Sequence, residues 1–159
     1  MIYKKEYINN HIYNQTNSIM TNSTIQSYNK ELEINPKDAK VWNNLGVLLK
    51  DHKKDYDGAE HAYNKALEID PKSAYTWTNL GNLLMNHKKD IAGAEDAYEK
   101  ALEIDPKFAG AWNNLGSLLD DKKDIAGSID AYKKALEIDP KFANAWSGLG
   151  TMMDENYLR

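Results

Sequence analysis

Cysteine is absent from this chain of 159 residues. Its absence excludes disulfides, thiolate metal sites and cysteine nucleophiles, and it is typical of proteins from a reducing compartment. Long apolar runs are also missing, since stretches such as 45–49 are too short to cross a bilayer and the first ten residues lack the apolar core of a signal peptide. We therefore expect a soluble, cytoplasmic protein that makes no membrane contact.

Positive charge is not in excess, because 20 Lys and Arg face 24 Asp and Glu and the net charge is -4. Nucleic acid is bound through clustered cations, so a nucleic-acid partner is disfavoured. No glycine-rich phosphate loop and no nucleophile–base pattern is recognisable. His52 and His87 occupy equivalent places before Lys-Lys-Asp, but the next repeat lacks the residue, which favours a surface position over a metal site. We expect neither an enzyme, nor a metal, nor a cofactor.

The chain repeats itself. Four tryptophans stand 35, 35 and 34 residues apart, each followed by x-x-Leu-Gly and preceded six residues earlier by a proline. The tryptophans are Trp42, Trp77, Trp112 and Trp146, and the prolines are Pro36, Pro71, Pro106 and Pro140. A period this close to 34 indicates a stacked helical array.

Each repeat reads as two antiparallel helices. Residues 42–49 place apolar side chains at i, i+3, i+6 and i+7, and residues 59–67 place them at i, i+4, i+7 and i+8. The first two repeats carry one extra residue between these halves, in 50–55 compared with 120–124, which predicts a loop there. The Asp-Pro pairs between repeats suit an N-cap followed by a first-turn proline. The predicted fold class is all-α, an α-α superhelix (solenoid) of antiparallel helix pairs.

Glycines recur inside the first helix of each repeat, where glycine costs roughly 1 kcal/mol relative to alanine. The repeated cost predicts close approach of the second helix, with Ala59, Ala94 and Ser128 opposite the glycines. Residues expected to hold the repeats together are Trp42, Leu45, Gly46, Trp77, Leu80, Gly81, Trp112, Leu115, Gly116 and Trp146.

The order Trp-x-x-Leu-Gly, small-x-x-x-Tyr, Ala and Pro resembles the tetratricopeptide repeat family over about residues 21–154. The resemblance divides the chain into six segments. They are a degenerate or disordered segment 1–20, a second-helix half repeat 21–37, full repeats 38–72, 73–107 and 108–141, and a capping first helix 142–159. That last helix carries Leu149, Met152, Met153, Tyr157 and Leu158 without a second helix to cover them, so a homodimer formed through it is an alternative function.

In this family the first helices line a concave groove that holds an extended peptide or a helix, and the resemblance implies a protein-interaction scaffold. The implied groove residues are Lys40, Asn43, Asn44, Val47, Lys50, Asp51, Tyr75, Thr78, Asn79, Asn82, Met85, Asn86, Gly110, Asn113, Asn114, Ser117, Asp120 and Asp121. The capping helix would add Asn144, Ser147, Thr151, Asp154 and Glu155.

Two hypotheses describe the ligand. Asn44, Asn79 and Asn114 form a ladder that could grip a peptide main chain, as in the similar arrays attached to O-linked N-acetylglucosamine transferases, although the ladder breaks at Gly148. The alternative is the carboxylate clamp for acidic chaperone C-termini, which is disfavoured because Asn and Thr stand where it needs cations.

The distribution of charge suggests a ligand with a basic segment, since carboxylates such as Asp120 and Asp121 gather at one end of the predicted groove. RNA binding, as in pentatricopeptide repeats, is a further alternative. The acidic net charge and the Trp-x-x-Leu-Gly motif argue against it.

Overall fold

The computed structural model describes the secondary structure of residues 2–157 and the side chains of residues 18–152. This part of the chain is helical and contains no strand, which confirms the predicted fold class, an all-α array of helix pairs. The helices are α1 (Ile2–Ile34), α2 (Ala39–Leu48), α3 (Tyr56–Ile69), α4 (Ala74–Leu83), α5 (Ile91–Ile104), α6 (Ala109–Asp121), α7 (Ile125–Ile138) and α8 (Ala143–Tyr157). Predictions that rest on the side chains of Met153, Asp154, Glu155, Tyr157 and Leu158 lie outside the described residues. Within the described range, no helix combines the length and apolarity needed to cross a bilayer.

The predicted loops between the two helices of a repeat are present but short, since only residues 54–55 and 89–90 lie outside a helix in the first two repeats. The extra residue itself does not lengthen the loop. It is absorbed in π-helical turns, Leu49–Lys53 after α2 and Leu84–Lys88 after α4. Helix α6 has no such turn. A π-helical turn adds one residue to a helix without ending it. All three connections then close on a left-handed lysine, with φ of 56° at Lys54, 60° at Lys89 and 65° at Lys123.

The Asp-Pro pairs do not cap the following helices, which corrects a prediction. Each first helix begins three residues after its proline. Its cap is a later residue: Asp38 before α2 and Ser73 before α4 accept hydrogen bonds from first-turn amides. The aspartates instead end the preceding helix, as Asp105 does for α5. The Asp105 carboxylate accepts a hydrogen bond from the Lys107 amide at 3.0 Å. This bond from side chain to backbone closes an Asx turn.

The six-residue spacing between proline and tryptophan has a structural cause. In every repeat the indole N–H donates a hydrogen bond to the carbonyl of that proline. The N···O distances are 3.0 Å for Trp42 to Pro36, 3.0 Å for Trp77 to Pro71, 2.9 Å for Trp112 to Pro106 and 2.9 Å for Trp146 to Pro140. The bond fixes the turn between repeats to the helix that follows it.

The first-helix glycines lie against tyrosine rings. A Cβ added at Gly46 would stand 2.6 Å from the Tyr63 ring, and one at Gly81 would stand 2.5 Å from the Tyr98 ring. The helices do approach closely, but an aromatic ring fills the space that the sequence assigned to small residues. In the third repeat both contacts occur, because the Ser128 hydroxyl also donates to the Gly116 carbonyl at 2.9 Å.

The chain forms two compact units, Met1–Ile69 and Asp70–Arg159, which we call the first and the second unit. The core of the first unit contains Leu32, Val41, Leu45 and Ala62. A cluster in the second unit contains Tyr132, Ala135, Leu136, Ala145, Leu149 and Met152. Since Leu149 is 7% and Met152 1% exposed, the prediction that they lack cover is wrong.

We expect Gly81→Ala to lower the free energy of unfolding by about 1–3 kcal/mol, because the new methyl group overpacks the Tyr98 ring. Helix propensity alone would act in the opposite direction. Gly150→Ala in α8 is the matched control, since nothing lies within 4 Å of its added Cβ, and we expect it to stabilise the helix by up to about 1 kcal/mol. Urea unfolding followed by circular dichroism measures both. A Gly81→Ala protein as stable as wild type would contradict the packing argument.

Candidate functional site

The predicted groove residues of the second unit lie on α4 with its π-helical turn, on α6 and on α8. Helix α6 contacts both α4 and α8, so the first helices of successive repeats are neighbours, as the family geometry requires. The exposed or half-buried members of this set form what we call the first-helix surface. It consists of Tyr75, Asn79, Asn82, Asn86, Gly110, Asn113, Asn114, Ser117, Asp120, Asp121, Asn144, Ser147 and Thr151.

A chain of side-chain hydrogen bonds crosses this surface. The Asn114 amide group donates to Asn82 Oδ1 at 2.8 Å, and the same oxygen accepts a hydrogen bond from the Tyr98 hydroxyl at 2.8 Å. Asn113 in turn donates to Asn114 Oδ1 at 3.2 Å. Asn82 thereby joins α4, α5 and α6. A carboxamide has two N–H groups and two oxygen lone pairs. Asn114 therefore keeps one N–H and one oxygen lone pair that these bonds do not use, and its amide group is held at a fixed orientation.

Asn82 is the residue that sequence reasoning undervalued. It was one of many groove positions, whereas the structure makes it the acceptor that positions Asn114. The signal was available, since Val47 and Ser117 occupy the equivalent places in the other repeats and neither carries a carboxamide.

The other rungs of the asparagine ladder differ from Asn114. Asn44, in the first unit, is exposed, and its oxygen accepts a hydrogen bond from Asn43 at 3.4 Å. Asn79 is half-buried on α4. At Gly148 an added Cβ would stand 2.7 Å from an edge carbon of the Tyr132 ring, so the ladder ends where the tyrosine occupies the space of a side chain.

Three predicted groove residues offer little surface. Asn43 and Thr78 are each 6% exposed and Met85 is 9% exposed. The Thr78 hydroxyl donates to the Ala74 carbonyl at 2.9 Å, and the Met85 sulfur lies 3.8 Å from the Tyr98 hydroxyl oxygen. These side chains are engaged within the protein, and we leave them out of the proposed ligand contacts.

The charges of the candidate site are negative in the second unit. The segments 74–86, 109–121 and 143–152 contain no Lys or Arg. Asp120 is half-buried and Asp121 exposed at the C-terminal end of α6, where the helix dipole adds further negative potential. In the first unit Lys40 is exposed, Val47 is half-buried, and Lys50 pairs with Asp51 at 3.2 Å.

Two tyrosines of the second unit, Tyr98 and Tyr132, are buried. Burial raises the pKa of Tyr98. Burial is also the main cause of the raised pKa of Tyr132, which the hydroxyl of Ser117 lowers in part and the charges of Asp120 and Asp121 raise further. Both phenols therefore stay protonated near neutral pH, and the Tyr98 hydroxyl remains the donor that holds the Asn82 oxygen in place.

Histidines do not build a metal centre in the part of the chain that the structure describes. His52 and His87 are exposed and lie in the π-helical turns of different units. No three His, Cys, Asp or Glu side chains among the described residues could hold a metal ion.

We expect the free energy of unfolding to fall as the pH rises above about 10, which is the pKa of tyrosine in an unfolded chain. A folded-state pKa that is raised contributes full stability below the unfolded pKa and loses it as the pH rises towards the folded pKa. Tyr98→Phe should lose about 1 kcal/mol at pH 7, through its bond to Asn82, and should show a smaller further drop between pH 9 and 11. Urea midpoints across this range measure the effect. Tyr75→Phe, at an exposed position, serves as control, and equal alkaline drops in all three proteins would refute the assignment.

Comparisons with known proteins identify the same repeat architecture. Four family models described as tetratricopeptide or TPR repeats match residues 27–61, 52–88, 74–108 and 109–142. No curated protein matches the chain in sequence.

Solved structures that share the fold include two of MamA and one of a Spaghetti (RPAP3) repeat. A crystal structure of MamA is 26% identical, with a TM-score of 0.75, over 85% of this chain and 78% of that one. A second MamA structure is 24% identical, with a TM-score of 0.77, over 91% and 78%. The first TPR of Spaghetti (RPAP3), bound to the HSP90 peptide SRMEEVD, is 22% identical, with a TM-score of 0.70, over 75% and 93%. The chain belongs to the tetratricopeptide repeat family.

Proposed function

We propose that this protein is a non-catalytic interaction module, and that its first-helix surface binds an extended peptide or a partner helix. The observation that carries the proposal is the hydrogen bond from Asn114 to Asn82, which orients a carboxamide at the surface. Membership of the repeat family supports the same conclusion. A cytoplasmic location stays a prediction from the sequence.

The chemistry of Asn114 suits a peptide main chain. A peptide unit offers one N–H and one C=O, and Asn114 has one oxygen lone pair and one N–H to meet them. Because Asn82 already holds the amide group, little side-chain entropy is lost when a ligand binds. Exposed Tyr75 on α4 would supply apolar contact area at one end of the surface.

The charge of the surface favours a ligand with a basic segment. The described first-helix segments of the second unit carry no cation, and Asp120 and Asp121 lie together at the end of α6. The Spaghetti (RPAP3) structure holds a peptide with a run of acidic residues, SRMEEVD. We propose that the present surface disfavours such a peptide, because no Lys or Arg stands ready to pair with its carboxylates.

The first test uses a random peptide library displayed on phage and selected on the intact chain. We expect Asn114→Ala to weaken the binding of selected peptides roughly tenfold, as expected for the loss of one or two hydrogen bonds. Fluorescence polarisation with labelled peptides measures the change. Asn64→Ala, which removes an exposed asparagine from α3, is the matched control. If every selected peptide binds the Asn114→Ala protein as tightly as wild type, the proposed surface is wrong.

The second test addresses ligand charge. We expect Asp120→Lys with Asp121→Lys to weaken the binding of basic peptides and to reduce its salt dependence, since the attractive charge is reversed. Glu31→Lys with Glu33→Lys on α1 makes the same change in net charge at exposed positions elsewhere. Equal effects of the two double variants would show that net charge, and not the end of α6, attracts the ligand.

A further inference from the structure

A cleft of about 420 Å³ opens between α5 and α6 of the second unit. It is lined by Glu99, Leu102, Glu103, Trp112 and Leu115. None of these residues belongs to the first-helix surface. We call this site the α5–α6 cleft, and its chemistry is independent of the proposed peptide groove.

Apolar groups form most of the interior of the cleft. Leu102 and Leu115 are each 8% exposed, so only a small face of each is available to a ligand. Trp112 is half-buried, and its indole N–H is bonded to the Pro106 carbonyl at 2.9 Å. The ring is therefore held in one orientation before any ligand arrives, which limits the entropy lost on binding.

Two carboxylates stand at the cleft without partners. Glu99 and Glu103 are one helical turn apart on α5, and both are exposed. Neither forms a hydrogen bond or an ion pair with any residue that the structure describes. On the same helix Asp96 pairs with Lys100 at 2.6 Å, and Glu95 pairs with Lys122 at 2.7 Å. The negative charge at the α5–α6 cleft is therefore left uncompensated, whereas that of its neighbours is neutralised.

The Trp112 ring already forms a cation–π contact with a lysine of the protein. Lys134 Nζ lies 4.4 Å from the ring centroid. The charge of this lysine is compensated by Asp130, whose carboxylate lies 2.7 Å away. Its repulsion of a second cation in the cleft is therefore small compared with the attraction of two unpaired glutamates.

We propose that the α5–α6 cleft binds an arginine side chain of a partner protein. The guanidinium group pairs with Glu99 and Glu103, and its methylene stem packs on the leucines and the Trp112 ring. Arginine fits better than lysine, because its planar head is more weakly hydrated, stacks on aromatic rings and bonds carboxylates in pairs.

The next repeat provides a natural comparison. Lys133 occupies the place of Glu99, while Glu137 and Trp146 occupy the places of Glu103 and Trp112. A positive charge thus replaces one of the two carboxylates, and the arginine site is specific to the cleft between α5 and α6. Lys133→Glu would restore the pattern beside Trp146.

The test is a nuclear magnetic resonance titration of the intact chain with an acetylated Gly-Arg-Gly-Arg-Gly peptide amide. We expect the indole N–H signal of Trp112, assigned by its loss in Trp112→Phe, to shift most among the four tryptophans. The same peptide with citrulline in place of arginine should bind at least fivefold more weakly, since it keeps the shape and loses the charge. The same dependence on charge predicts that Glu99→Gln with Glu103→Gln weakens binding about tenfold.

Controls separate this site from the proposed groove. Glu31→Gln with Glu33→Gln removes the same charge from α1, and Asn114→Ala alters the first-helix surface; we expect both to leave the Trp112 shift unchanged. Lys133→Glu should add a shift at Trp146. The proposal is overturned if the Glu99→Gln/Glu103→Gln protein binds as wild type does, or if the shifts are confined to the amides around Asp120 and Asp121.

Discussion

A tyrosine ring lying on the backbone of a glycine is the contact on which each repeat depends. Only a residue without a side chain lets the second helix bring its ring so close, as at Gly81 and Tyr98. The glycine weakens its own helix, and the buried aromatic area offsets that cost. The contact also sets the distance at which the two helices of a repeat pack.

The same contact connects the core to the candidate site. Because the Tyr98 ring lies against Gly81, its hydroxyl comes within 2.8 Å of Asn82 Oδ1 and donates to it. Asn82 then holds Asn114, which lies on the neighbouring first helix. Packing inside one repeat thus orients a carboxamide on the next, and a change at the glycine would be felt at the surface.

Tryptophan carries two functions in the repeat. Its indole N–H donates to the carbonyl of the preceding proline. This bond explains the six-residue spacing between proline and tryptophan, for which no reason is visible in the sequence. Its ring meanwhile remains half-buried and contacts a lysine of the second helix, at Trp77 and at Trp112. Beside Trp112, the carboxylates of Glu99 and Glu103 on α5 add negative charge to this recurring feature and form part of the α5–α6 cleft.

The sequence by itself determined the repeat period, the helix pairs, the family and the helices on which ligand contacts are expected. These follow from periodicity, which survives any detail of packing. The errors fell at the ends of elements. The Asp-Pro pairs end helices instead of capping them, and part of each predicted loop is a π-helical turn, since local preferences do not decide such boundaries.

Only the tertiary structure decided which polar side chains of the first helices are engaged within the protein and which stay available at the surface. Thr78 and Asn82 lie one turn apart on α4 and look alike in sequence, yet one bonds its own helix and the other joins three helices. Likewise Met152 looks exposed in a terminal helix and is buried against α7. Burial and hydrogen bonding depend on which residues of neighbouring helices lie close by. The order of residues along the chain does not give the distances between helices.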